Sequence, residues 1–426
     1  MIALALACAL QAATPDSLPL VTLDEALQRG TGLDPSYVAA LGGVRDARWQ
    51  RTAAMTVFIV PAVTVSTSAT WYSNEAFNIG TGQPSSRIVV AQANASLDLF
   101  RGGQRIFDLQ RRRAEFESAE ASAVETQFRT ALFIEADFYD VLAQQELLRV
   151  SEERVRRANE QLAVARARVL TGAAVQTDSL QLVLELTRAR VDLLRQQSAL
   201  RVARLQLGRR IGVAYPVGAV PLDPTPPPTA PISEADAVAE ALGQGPIAQG
   251  ARADQVAAEA GFKSAWGLYL PTMTLNGQLS AFDDRFFPSA TSRAALGFTI
   301  SLPIWNNAQR EITLSRARTA RDVARAVRAD TELGVRRDVV EAYEAYTTAR
   351  AAYDLAFEGV TVARENLRVQ DERYRAGATT IIDLVTAQVD QAEAEAGLVQ
   401  ARYTTRLALA GLEALLGRRF TTEDAQ

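Results

Sequence analysis

Arg168, Gly172 and Asp178 recur 205 residues later as Arg373, Gly377 and Asp383. Each set falls between two stretches with helical spacing, where glycine permits the left-handed backbone of a tight helix-to-helix turn. The chain has no histidine, one cysteine (Cys8) and one lysine (Lys263). It therefore cannot assemble a Ser-His-Asp or Cys-His nucleophile, a histidine metal site or a cysteine zinc site. Lys263 lies in Ala260-Gly261-Phe262-Lys263-Ser264, which lacks the glycine spacing of a phosphate-binding loop. No cofactor is expected, and a carboxylate-only enzyme is the one catalytic alternative left.

The turns belong to a larger duplication. The same shift carries Ser96, Leu97, Gln104 and Arg105 onto Ser301, Leu302, Gln309 and Arg310, Phe138 onto Tyr343, and Ile211-Gly212 onto Leu416-Gly417. Each copy is too long to be a solenoid unit, so each is a helix and strand assembly of its own. With 426 residues, 48% hydrophobic and 22% charged, the chain is structured throughout. A net charge of -4 gives no phosphate-neutralising surface, so nucleic acid is not expected as a partner. Residues 1–13 read as an export signal, with lipidation at Cys8 as the alternative. No other stretch approaches the roughly 18 apolar residues of a spanning helix, so any membrane crossing must use strands.

Proline divides the chain. Seven of the 16 prolines lie between Pro216 and Pro231, marking an extended linker over 214–231. None occurs from 85 to 215 or from 304 to 426, where long helices are expected. A helix from Gln104 to Leu170 would be about 100 Å long at 1.5 Å per residue. Shorter helices are expected near 35–56 and 178–211 in the first copy, and near 246–266 and 379–416 in the second. The stripe Leu180, Leu184, Thr187, Val191, Leu194, Ser198, Val202 and Leu205 has the spacing of a helical seam. It recurs as Val385, Val389, Ala392, Ala396, Val399, Tyr403, Leu407 and Ala410.

Each copy also carries two alternating strands, at about 58–72 and 87–100 and at about 269–282 and 293–303. Apolar Val63, Val65, Ala69 and Trp71 alternate with Thr64, Ser66, Ser68 and Thr70, and the other three strands alternate likewise. Aromatics bound them, Trp71, Tyr72 and Phe282 at one end and Phe58, Phe100, Tyr269 and Trp305 at the other, as expected of interface residues in a membrane barrel. Four strands cannot close and leave two open edges; three chains would supply twelve. The alternative is a periplasmic helical scaffold with a soluble β domain.

The chain resembles the TolC-like outer-membrane factors. The residues that carry the resemblance are Leu23-Asp24-Glu25-Ala26-Leu27 with Asp34-Pro35, the strand end Gly297-Phe298-Thr299-Ile300-Ser301-Leu302-Pro303-Ile304-Trp305, and the turns Arg168-x-x-x-Gly172 and Arg373-x-x-x-Gly377, in that order and duplicated. The resemblance implies a mainly α fold with transmembrane β structure: a duplicated helix-strand-strand-long helix-helix unit whose homotrimer forms a 12-stranded barrel in outer-membrane lipid and an α-helical periplasmic tunnel. It implies no catalysis, and two partners, an inner-membrane transporter and a periplasmic adaptor that contacts the tips at Arg168, Gly172, Arg373 and Gly377. It also implies a periplasmic gate in which Tyr374 hydrogen-bonds Asp178 beside Thr177, with Asp383 in a ring of carboxylates. Thr379 and Thr386 stand where the family has an arginine and a second aspartate. Helix capping by Asp383 is the structural alternative. The layout expected is a signal (1–13), a first repeat (14–213, long hairpin 104–211), the linker (214–231), a second repeat (232–418, long hairpin 308–416) and a tail (419–426).

Overall fold

Proline sets where the helices begin. Asp34 precedes Pro35, and its carboxylate accepts the N–H groups of Ser36 (2.8 Å) and Tyr37 (3.2 Å) at the start of the helix α2. The computed structural model describes residues 18–172, 174–222, 230–287 and 291–420. The expected signal with Cys8, the centre of the proline linker and residues 421–426 lie outside the described residues. In chain order the elements are β1 (Leu20–Val21), α1 (Leu23–Leu33), α2 (Pro35–Thr56), β2 (Ala62–Asn78), β3 (Gln83–Arg101), α3 (Gln104–Leu170), α4 (Gln176–Arg210), β4 (Gly218–Ala219), α5 (Glu234–Gln244), α6 (Pro246–Trp266), β5 (Thr272–Asp283), β6 (Thr291–Ser301), α7 (Gln309–Arg375) and α8 (Ile381–Leu416). Two compact units emerge, one of residues 1–39, 124–245 and 335–426, the other of 40–123 and 246–334. Among the described residues no helix is long and apolar enough to cross a membrane.

The second unit holds a four-stranded antiparallel sheet of order β2-β3-β5-β6, open at both edges. Directly opposed residues in such a sheet share a face. Val65, Ala93, Leu279 and Ala294 line up across all four strands, and Leu97, Leu275 and Phe298 across three. The opposite face carries rows such as Ser66, Gln92, Ser280 and Arg293. Each strand's own alternation thus adds up to one apolar and one polar surface. On the edge strands β2 and β6 the apolar surface is bare, with Val65 79% and Leu296 78% exposed.

The strand boundaries differ from the sequence expectation. β2 begins at Ala62 rather than near 58, because the N–H groups of Phe58, Ile59 and Val60 still bond back to Met55 and Thr56 and Pro61 separates that helical turn from the strand. Tyr269 lies in the 3-10 turn Gly267–Tyr269, and Trp305 lies past the end of β6. Phe58, Tyr269 and Trp305 therefore flank the strands instead of standing on them. Trp71, opposite Arg87, and Phe100, opposite Met273, do lie on the apolar face. Phe282 does not: it pairs with Val90 and Thr291 in a row of the polar face, one residue out of phase with Ala281. Tyr72 follows Trp71 where the register is lost and has no paired row.

The sheet joins the long helices through a device written twice. Arg105 donates to the carbonyl of Asp98 and stacks over Phe58 at 4.4 Å; Arg310 donates to the carbonyl of Pro303 at 2.9 Å and stacks over Tyr269 at 4.6 Å. Both arginines and both carbonyls are related by the 205-residue shift. The left-handed pair Gly102 and Gly103 is matched by Asn307 (φ 55°) and Ala308 (φ 60°), so the turn persists where glycine has been lost.

The first unit is built around Phe138, Ile134 and Leu142 of α3, packed with Leu200 and Leu207 of α4 and Tyr403 of α8. The linker is anchored at its start, since Gly218–Ala219 pair in parallel with Leu20–Val21. Helices α1 and α5, absent from the unit expected from sequence, are opened by Thr22 and Ser233, whose side chains accept from Glu25 and Asp236 N–H groups. The duplicated seam is used unequally. On α8 it is buried (Val399, 6% exposed), whereas its repeat partner on α4 is bare (Leu194, 65%). α4 instead buries Leu182, Leu186, Ala189, Ala203 and Leu207.

Beyond α8 the chain is strapped by carboxylates from three helices. Arg418 pairs with Glu240, Arg419 with Glu135 (2.7 Å), and the N–H of Phe420 with Glu413 (2.8 Å). Burial pushes the Glu135 carboxyl up to about 7, opposed by Arg419 and aided by Glu413, itself raised by burial. A carboxyl raised on folding favours the protonated native state, so its contribution to stability is greatest at acid pH and declines as pH rises from about 4.5 to about 7. Glu135→Gln is expected to flatten that decline in melting temperature between pH 4.5 and pH 7.5. An unchanged pH profile would assign the titration elsewhere.

Candidate functional site

The hairpin tips bring together most of the residues singled out from sequence. Gly172 and Gly377 both adopt φ of 74°, and their N–H groups bond back to Val169 (3.1 Å) and Tyr374 (3.0 Å). They close the α3–α4 and α7–α8 turns in the left-handed conformation expected of them. Beneath the turns lies a core of Leu162, Ala165, Leu182, Leu186, Tyr374, Ile381 and Leu384.

The start of the returning helix differs between the copies. At α8, Thr380 is the N-cap and forms a reciprocal capping box with Asp383. The Asp383 Oδ2 accepts from the Thr380 N–H (3.1 Å), the Thr380 hydroxyl (2.7 Å) and the Thr379 hydroxyl (2.9 Å). These donors, led by the Thr380 hydroxyl, with Arg373 nearby, hold its carboxyl below the usual carboxylate range. The capping role set out as the alternative for Asp383 is thus present, and Thr379 serves it. At α4 the N-cap is Val175, which makes no side-chain cap, so Asp178 has no equivalent box. Thr177 stands beside it, one residue into the helix.

Tyr374 departs from the expected clasp. Its hydroxyl is buried without a hydrogen-bond partner, so the Tyr374 to Asp178 bond is not made. Burial raises the hydroxyl's pKa, the charge of Asp178 adds to this and Arg168 opposes it. A contact that does bridge the hairpins at their tips is made by Arg168, whose Nη1 donates to the Tyr374 carbonyl at 2.6 Å while its guanidinium lies 4.8 Å from the centre of the Tyr374 ring. Its repeat partner Arg373 turns to its own hairpin, donating to the Ala378 carbonyl at 3.5 Å.

Sequence reading missed the polar ties behind the tips. Gln388 donates to Gln161 across the two hairpins, and within the first hairpin Arg154 holds Glu185 (2.6 Å) and Asp192 (3.1 Å). The available signal was Glu185, which stands between Leu182 and Leu186 on the buried face of α4. Alongside Tyr374 a groove runs between α3 and α7, lined by Arg156, Gln161, Leu367, Arg368 and Asp371. Among the described residues no group of three or more His, Cys, Asp or Glu side chains could hold a metal ion.

Comparison with known proteins gives the fold its relatives. The family model for outer membrane efflux proteins matches residues 27–213 and 237–418, one stretch in each copy. Outer membrane efflux protein BepC of Brucella suis is 26% identical over 290 residues, covering 66% of this chain and 62% of BepC, so the chain spans under two thirds of that relative's length. In fold, the chain is similar to a membrane protein from Pseudomonas aeruginosa (TM-score 0.78, 17% identity, 96% and 92% of the two chains). It is also similar to the open state of the Neisseria gonorrhoeae MtrE outer membrane channel (TM-score 0.77, 17% identity, 93% and 89%).

Proposed function

The chain belongs to the outer membrane efflux protein family, an outer-membrane protein that extends into the periplasm, and from that premise we propose that three copies form one passive exit duct of a tripartite efflux pump or type I secretion system. The observation that carries this reading is the sheet: one largely apolar face, bare on its two edge strands, across four strands with two open edges. An isolated sheet of that kind would aggregate, whereas three copies placed edge to edge close a twelve-stranded barrel with its apolar face toward lipid. The bare stripe on α4 supports the same arrangement, because its buried counterpart on α8 indicates that such a stripe needs a helix beside it. In this reading a second copy provides that helix. A soluble scaffold would have no use for either surface.

The hairpin tips form the periplasmic mouth. Arg168, Gly172, Arg373 and Gly377 meet the adaptor, which joins the duct to the inner-membrane transporter that supplies the energy. Thr177, Asp178, Tyr374 and Asp383 line the gate, and three copies of Asp383 filter passing cations. Purified protein should run as a heat-sensitive trimer and conduct ions in planar bilayers. Asp383→Asn retains an amide oxygen for the Thr380 cap but removes the charge, so it should keep the fold and lower cation selectivity. Selectivity unaltered by Asp383→Asn would reduce Asp383 to a helix cap, and a detergent-free soluble monomer would overturn the duct.

A further inference from the structure

The two arginines of the repeat are not doing the same thing, and the difference falls at the mouth. Arg168 lies in the last turn of α3, Tyr374 in the last turn of α7, and they belong to different hairpins. The Arg168 guanidinium meets the Tyr374 carbonyl at 2.6 Å, which belongs to the negative end of the α7 dipole, and lies 4.8 Å from the centre of the Tyr374 ring. The same carbonyl accepts the Gly377 N–H at 3.0 Å, so the cation is tied to the turn itself. Arg373 has no equivalent target. The position that Tyr374 holds in the second copy is Val169 in the first, and a valine offers no aromatic face. Meanwhile the Tyr374 hydroxyl, buried and unbonded, holds nothing.

We propose that Arg168 is the positioning residue that clasps the second hairpin to the first, so that closure of the mouth depends on its guanidinium and on the Tyr374 ring and carbonyl rather than on the Tyr374 hydroxyl. The proposal rests on the reading of the tips as a channel mouth. It gives the closed state the cationic link that Thr379 cannot provide, drawn from the first hairpin instead of the second. It also fixes the order of effects for three substitutions. Arg168→Gln removes the charge, Arg168→Lys keeps a cation that can reach one target at a time, and Tyr374→Phe removes only the unbonded hydroxyl.

The test uses the full-length trimer in planar bilayers, with hydrogen exchange of the tip amides as a second readout. Arg168→Gln should raise conductance several-fold, Arg168→Lys should restore part of the closed state, and Tyr374→Phe should conduct as the wild type does. Gly377 and Ala378 amides should exchange faster in Arg168→Gln and at the native rate in Tyr374→Phe. Equal conductance of Arg168→Gln and wild type overturns the clasp, as does a Tyr374→Phe variant that opens as far as Arg168→Gln. If no variant conducts, the channel reading itself fails, and the exchange rates still decide the clasp: faster in Arg168→Gln alone supports it, and equal rates overturn it.

Discussion

Leu296→Arg is expected to abolish accumulation of the trimer in the outer membrane, whereas Ala295→Arg, its neighbour on the same strand, is expected to be tolerated. Leu296 pairs with Gly277, midway between the Met273–Ile300 and Ala281–Ser292 rows that bound the apolar band on β5 and β6. In the proposed barrel it stands near the level of the bilayer centre. An arginine facing lipid there costs about 2–4 kcal/mol, and a threefold assembly bears that cost three times. Ala295 pairs with Gln278 on the opposite face, next to the row that already holds Arg293. Immunoblots of outer-membrane fractions, with and without heating, compare the two. Equal accumulation would mean that the apolar face does not meet lipid.

Phe138→Ala is expected to be the most damaging substitution in the first unit, at about 3–5 kcal/mol for a fully enclosed phenylalanine. The ring is 0% exposed and packs edge-on to Tyr139 at 6.1 Å, and Tyr139 in turn stacks on Tyr403 of α8. Truncation leaves a cavity where α3, α4 and α8 meet, and neighbours held by those stacked rings cannot readily fill it. Its repeat partner Tyr343 is only half-buried, so Tyr343→Ala should cost clearly less. Melting of the trimer in detergent measures both. Equal losses would mean that the duplicated sequence, not the packing around each copy, sets the energetics.

Local rules carried the sequence a long way. The ends of α2 and α6 follow from Pro35 and Pro246 and the apolar spacing behind them, and the absence of proline from 85 to 215 allowed α3 to run its 67 residues. Each of these is decided within a few turns of backbone. The errors came where neighbouring rules compete. Phe58 belongs to the end of a helix because Pro61 delays the strand, and Phe282 looks like an interface aromatic until its partners Val90 and Thr291 place it on the polar face.

The amino-acid sequence by itself determined the duplication, the long helices, the two-faced strands and the lack of histidine, because periodicity, proline and missing side chains act locally or by simple count. Only the tertiary structure decided which surface each pattern meets. The same seam is buried at Val399 and bare at Leu194, and the same arginine reaches across to a tyrosine at 168 but folds onto its own turn at 373. A repeat specifies identical backbones. What a side chain touches depends on the neighbour across the gap, and at the hairpin tips Arg168 finds Tyr374, whose equivalent in the first copy is Val169.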